Sequence, residues 1–185
     1  SEMCIRDRLV RLAGEYVKGD PLNPGAAGKR EYYPLSSRDA AETLVEQVGK
    51  AVDAGANLHV GGTIDGEGAY FAPAVITDIP VGSDIYYEEF FGPVAAVYKV
   101  SSEEEAIEVA NDSNYGLGGA VMSQDEERAK KVAAKIDTGM IHVNIPQARG
   151  AELPFGGVKN SGLGRELGPV GMDEFVNYQR FFVAD

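Results

Sequence analysis

Between Val94 and Asn144 the chain alternates strand-like and helix-like periods, and few folds accept that alternation. Val94 to Val100 reads as a strand, the capping box Ser102 to Glu105 opens a helix, and Gly119 to Met122 reads as a second strand. A helix from Asp125 to about Ile136 and a strand from Met140 to Asn144 complete the run. Strands joined through helices favour parallel neighbours and right-handed crossovers. The expected class is α/β, a mostly parallel open sheet with flanking helices.

Upstream, Leu9, Val10, Leu12, Ala13, Tyr16 and Val17 fit one face of a helix that stops near Gly19 and Pro21, before a Gly/Pro-rich loop to about Tyr33. Ser37 can cap a second helix, with Ala41, Leu44, Val45, Val48 and Val52 at helical spacing and Gly55 as a left-handed stop. Leu58 to Val60 reads as a short strand ended by Gly61 and Gly62. Tyr70 to Thr77 is extended but interrupted by Pro73, which predicts an edge or irregular strand. Residues 1–8, SEMCIRDR, lack a convincing period and read as a non-native leader. A short helix is expected around Gly168 to Phe175. The tail from Asn177 to Ala184 carries Tyr178, Phe181, Phe182 and Val183 and reads as a terminal strand that pairs outside its own sheet, making a subunit contact.

Composition narrows the functional classes. With 29 acidic against 17 basic residues in 185, the net charge of −12 repels a phosphate backbone, so nucleic acid is not an expected partner. No apolar run approaches the roughly 18 residues of a membrane span, and a soluble cytoplasmic protein is the default expectation. The single cysteine, Cys4, permits no intrachain disulfide and no cysteine cluster for zinc. His59 and His142 lie far apart, so no metal-ligand set is visible.

Pro154 to Glu166, PFGGVKNSGLGRE, combines Gly156, Gly157, Gly162 and Gly164 with one aromatic and three charged residues. Such a segment has little core value; it reads as a shaped loop beside a ligand or as a structural glycine turn. It fails both phosphate patterns. Gly162-Leu163-Gly164-Arg165-Glu166-Leu167 lacks the third glycine of the dinucleotide fingerprint, and Lys159 has neither the preceding Gly nor the following Ser or Thr of a P-loop. Glu88-Glu89-Phe90-Phe91-Gly92-Pro93 precedes a strand, where a carboxylate can accept from two ribose hydroxyls and a ring can pack on a flat heterocycle. The same residues also read as a surface acid pair beside two core phenylalanines. Cys4 lacks a neighbouring base, and His142 reads either as a satisfied core histidine or as a catalytic base.

Four segments in register, GDPLNPG at 19–25, YYEEFFGPV at 86–94, SNYGLGGAV at 113–121 and PFGGVKNSGLGRELG at 154–168, resemble the carboxyl-terminal part of NAD(P)-dependent aldehyde dehydrogenases. The stretch ELPFGGVKNSGLGRELGPVGMDEFVNY is most similar to succinate-semialdehyde dehydrogenases and related broad-specificity members. The resemblance implies an incomplete catalytic domain over 9–174 and an oligomerisation strand over 175–185. By the same resemblance, Glu89 binds the nicotinamide ribose of NAD or NADP and Phe91 packs by the nicotinamide. Phe155 lines the aldehyde tunnel, with Ile145 to Arg149 on the neighbouring substrate loop. Glu166 is a proton-relaying acid and Arg165 braces the loop. The family oxidises an aldehyde through a cysteine thiohemiacetal and thioester, with an asparagine and a backbone N–H holding the oxyanion. The family's cysteine, glutamate base and oxyanion asparagine have no match in this chain, so the 185 residues alone are expected to be inactive. A homodimer or homotetramer is implied for the complete enzyme. The competing expectation is a non-catalytic assembly module that keeps the fold.

Overall fold

Strand β4 organises the first part of the computed structural model, which describes residues 2–148 and 150–184. Helix α1 (Glu2–Gly14) is followed by a two-residue parallel ladder of β1 (Val17–Lys18) with β2 (Glu31–Tyr32). Helix α2 (Arg38–Asp53) is capped as its sequence requires, Ser37 accepting from the Ala40 N–H at 3.1 Å. Strands β3 (Asn57–Val60), β4 (Ala74–Thr77) and β5 (Val94–Val97) form one sheet in that order, antiparallel then parallel.

The helical backbone begins at Glu2, within the stretch 1–8 read as a leader. Of the two expectations for Tyr70 to Thr77, the irregular one holds: the ladder covers only Ala74–Thr77, Phe71 makes an isolated bridge to Ile64, and the β3–β4 register shifts. Strand β4 is nonetheless central in its sheet. Pro73 sits one residue ahead of the ladder, where its missing N–H costs nothing, and the first ladder residue, Ala74, already donates to Pro93 O at 2.9 Å. All four β4 residues are buried. One side of the core joins Ala41, Leu44 and Val48 of α2 to Phe71 and Ala74; the other gathers Ala51, Ala56, Ile76, Ile79 and Ile85. His59 occupies the irregularity between Leu58 and Val60 in the β3–β4 register, and its Nε2 lies 2.9 Å from Thr77 Oγ1.

The loop before β2 is organised by one carboxylate. Glu31 accepts from the N–H groups of Gly25 and Ala27, each at 2.8 Å, and from the Tyr33 hydroxyl at 2.8 Å. The Gly25 and Ala27 hydrogen bonds, joined by that of Tyr33, hold its pKa below the usual glutamate value.

Residues 1–99 and 100–185 form two compact units. In the second, α3 (Glu103–Asn111) starts at Ser102, which accepts from Glu105 N–H at 3.1 Å. The return bond of the capping box goes to Ser101, whose N–H donates to Glu105 Oε2 at 2.6 Å. Strand β6 (Tyr115–Gly116) precedes β7 (Gly118–Val121), and α4 (Glu126–Ala133) leads into β8 (Met140–Val143). Strands β7 and β8 are parallel, as the alternation predicts, while β5 finds its parallel partner in β4. Alanines 129 and 133 press α4 onto this pair with almost no exposed surface. Strand β9 (Val158–Lys159) pairs antiparallel with β6, a ladder the sequence reading did not contain. Helix α5 (Gly168–Gly171) and a 3-10 turn at Asp173–Phe175 follow. Beyond them the chain to Ala184 forms no ladder among the described residues, and Tyr178, Phe181, Phe182 and Val183 are exposed.

The approach of Gly139 to the glycine-rich run is closer than any side chain permits. A Cβ there would stand 2.0 Å from Gly156 O and 2.7 Å from Gly157 Cα. Backbone cannot move aside like a flexible side chain, so Gly139→Ala is expected to cost about 1–3 kcal/mol, the range of core overpacking. A lowered urea midpoint with unchanged slope is the expected readout.

A second prediction concerns pH. Because Glu31 titrates lower in the folded state, its contribution is present above the ordinary glutamate value of about 4.3 and is lost as pH falls through the depressed folded value. The Gly25 and Ala27 amide proton shifts should therefore titrate together below that value in the native chain, and not at all in Glu31→Gln.

Candidate active-site walls

Helix α2 and the turn after the 3-10 segment Asp84–Tyr87 sort two adjacent acids and two adjacent rings onto opposite sides. Glu88 has extended, polyproline-like angles, φ −80° and ψ 141°, and tight turns follow it, Gly92 N–H donating to Phe90 O and Val94 N–H to Gly92 O, each at 2.8 Å. Gln47 Nε2 donates to Glu88 Oε2 at 3.0 Å and to Glu89 O at 3.1 Å, drawing Glu88 toward α2. Lys50 Nζ stands 3.8 Å from Glu88 Oε1, an exposed pair that adds little. Phe90 continues on the inner side and packs against both parts of the core. Glu89 and Phe91 take the outer side. Phe91 is 83% exposed, and no hydrogen bond or ion pair holds the Glu89 carboxylate among the described residues. Gly92 closes the turn over Leu44, whose Cδ1 would meet an added Cβ at 2.2 Å.

The reading of a surface acid pair beside two core phenylalanines fits Glu88, Glu89 and Phe90 but not Phe91, which is exposed. Glu88 is held by Gln47 and Phe90 by the core, whereas Glu89 and Phe91 form an open wall of one carboxylate and one ring. Such a wall can accept from a vicinal diol and cover a flat heterocycle. Gln47 escaped the sequence reading. Its position three residues after Leu44 and one before Val48 marked it as a polar group at the edge of an inward face.

A second wall lies in residues 100–185. Phe155 and Glu166 exchange backbone hydrogen bonds at 2.7 and 2.8 Å, closing the glycine-rich run at its base. Inside it, Arg165 donates through one guanidinium nitrogen to Gly157 O at 2.8 Å and Gly164 O at 2.7 Å, so the arginine braces the loop. Ser161 Oγ accepts from Gly116 N–H at 3.0 Å. Lys159, in the left-handed region at φ 54°, donates to Asn111 O at 2.9 Å and lies 3.3 Å from Asp137 Oδ2, tying the run to the end of α3. At the tip, Leu163 is 98% exposed.

Beside this loop is a cavity of about 670 Å3, lined by Met140, Ile141 and His142 of β8, by Gln147, Ala148 and Leu153, and by Pro154, Phe155 and Leu167. The lining is mainly apolar, suited to a small organic molecule. His142 Nδ1 lies 3.2 Å from Gly119 O; a carbonyl can only accept, so Nδ1 carries the hydrogen and the half-buried ring is tied to β7. Phe155 reaches the cavity. Ile145 is 46% exposed and stands outside its lining, Glu166 is exposed and also outside it, and Arg149 lies outside the described residues. Cys4 is exposed on α1.

Comparison with known proteins agrees with this architecture. Residues 3–181 match the model of the aldehyde dehydrogenase family. An NADP(+) succinate-semialdehyde dehydrogenase of Deinococcus radiodurans is 48% identical over 171 residues, which is 92% of this chain and 35% of that protein. An aldehyde dehydrogenase of Paenarthrobacter nicotinovorans is 42% identical over 185 residues, 97% of this chain and 40% of the relative. Among solved structures, the succinic semialdehyde dehydrogenase of Streptococcus pyogenes in complex with NADP+ superposes with a TM-score of 0.88 at 45% identity, covering 98% of this chain and 39% of that one. Betaine aldehyde dehydrogenase of Staphylococcus aureus with NAD+ gives 0.79 at 35% identity, covering 94% and 34%. The chain thus spans little more than a third of the relatives it matches. It is a member of the aldehyde dehydrogenase family.

Proposed function

We propose that this chain supplies two walls of an enzyme that oxidises an aldehyde, such as succinate semialdehyde, to its carboxylic acid with NAD or NADP. The observation that carries the reading is the outward pair Glu89 and Phe91, held on one side of their turn while Glu88 and Phe90 take the other. These residues fit a nicotinamide coenzyme: Glu89 would hold the hydroxyls of the nicotinamide ribose and Phe91 the flat ring. When bound, that group accepts the hydride. Phe155 presents an aromatic wall to the aldehyde in the β8 cavity, with Ile145 and Arg149 on the same substrate segment. Glu166, next to the brace Arg165, is the proposed proton-relaying acid. The exposed tail carrying Phe181 and Phe182 is proposed to pair with a second subunit in a homodimer or homotetramer.

The chain's only cysteine, Cys4, sits on α1 and neither wall includes it. The purified 185-residue chain should therefore form no NADH or NADPH with succinate semialdehyde; aldehyde-dependent reduction by the chain alone would overturn this assignment. The positive test is a chimera in which this chain replaces the matching 171 residues of the Deinococcus radiodurans relative. It should retain aldehyde oxidation, and an inactive, folded chimera would favour the assembly-module reading. In the active chimera, Glu89→Gln should raise the coenzyme KM about tenfold, the equivalent of about 1.4 kcal/mol. An unchanged KM and kcat would remove Glu89 from ribose binding.

A further inference from the structure

We propose that Gln47 is a positioning residue for the coenzyme, selecting which of two adjacent carboxylates is presented to it. The inference rests on the ribose role of Glu89. Glu88 and Glu89 are chemically identical neighbours, so chemistry alone cannot say which faces the ligand. The choice is made from outside the turn, by a side-chain amide on α2.

That amide suits the task. Gln47 Nε2 carries two hydrogens, and two acceptors stand within reach, Glu88 Oε2 at 3.0 Å and Glu89 O at 3.1 Å. The amide has one orientation that works, since turning it over would set its oxygen against two acceptors. One bond draws Glu88 toward α2, and the other fixes the carbonyl between Glu89 and Phe90. With both bonds made, Glu88 is held against α2, while the Glu89 carboxylate is exposed and has no hydrogen bond among the described residues. Glu89 is thereby left to the solvent side. Lys50, 3.8 Å from Glu88, reinforces the charge on the inner side but contacts nothing in the Glu89 backbone. Gln47 is only partly buried and belongs to neither core cluster, so a residue of similar size there is expected to leave the packing of α2 intact.

Two variants isolate the effect. Gln47→Leu keeps the size and removes both donors, while Gln47→Glu keeps the shape and sets a carboxylate against two acceptors. In the 185-residue chain, carbodiimide labelling of carboxyl groups read by mass spectrometry should modify Glu89 several-fold faster than Glu88. In either variant the Glu88 rate should rise toward that of Glu89. In the active chimera both variants should raise the coenzyme KM about tenfold, with a smaller effect on kcat and none on the aldehyde KM. Equal labelling of the two acids in the native chain overturns the proposal, and so does a coenzyme KM that neither variant moves. If Glu89→Gln itself leaves coenzyme kinetics unchanged, the ribose reading fails instead. The labelling difference then still reports whether Gln47 sorts the two acids.

Discussion

Leu44 is the contact on which the first unit depends. Its side chain, 1% exposed, joins helix α2 to Phe71 and Ala74, has Phe90 and Val94 against its margin, and leaves room for nothing larger than glycine at position 92. One residue thus sets the distance from α2 to the sheet and the depth at which the acidic turn sits. Burial of a leucine contributes about 1.5–3 kcal/mol through area removed from water, but its larger effect is geometric. Because Gly92 is seated on Leu44, Gln47 lies one helical turn further along at hydrogen-bonding distance from Glu88. Core packing and the anchor of the acidic turn share one helix face.

The second unit reaches a comparable result by different means. Among its described residues no large hydrophobe is fully buried. Backbone lies on backbone at Gly139 and Gly156, and polar pins do the rest: Lys159 to α3, Ser161 to β6, Arg165 across its own loop. Lys159 also meets the end of α3. Its ammonium and the side chain of Asn111 together satisfy Asn111 O, Lys135 O and Asp137 N–H at the junction of α3, α4 and β8. The charged residues of the run therefore serve geometry, and the cavity beside it stays largely apolar.

The helices were legible in the sequence because their information is local. Ser37, Ser102 and Asp125 cap the helices that follow them, and Gly55 takes the left-handed angle that ends α2. The strand order was less legible, because it depends on partners far along the chain. Pro73 suggested an edge, yet a ladder that begins one residue later places β4 at the centre. The short ladders β1–β2 and β6–β9 are two residues each, too brief for any period to show. For the site, residue types marked Glu88 to Phe91 but not the division among them. That division rests on Gln47, 41 residues away from Glu88. Family motifs named Phe155, yet its access to the β8 cavity is a matter of tertiary placement.

The turn from Glu88 to Val94 also has a consequence for length. The turn is anchored at both ends, by Gln47 on Glu88 and by Gly92 seated on Leu44, and it is closed between them by two tight bonds, Gly92 N–H to Phe90 O and Val94 N–H to Gly92 O, each at 2.8 Å. One residue inserted after Tyr87 would pull one anchor off its partner. Every residue type would be preserved and the wall would still be lost. At this turn the count of residues between the 3-10 segment and β5 constrains the protein as tightly as their identities, and tolerance of substitutions gives no guide to tolerance of insertions.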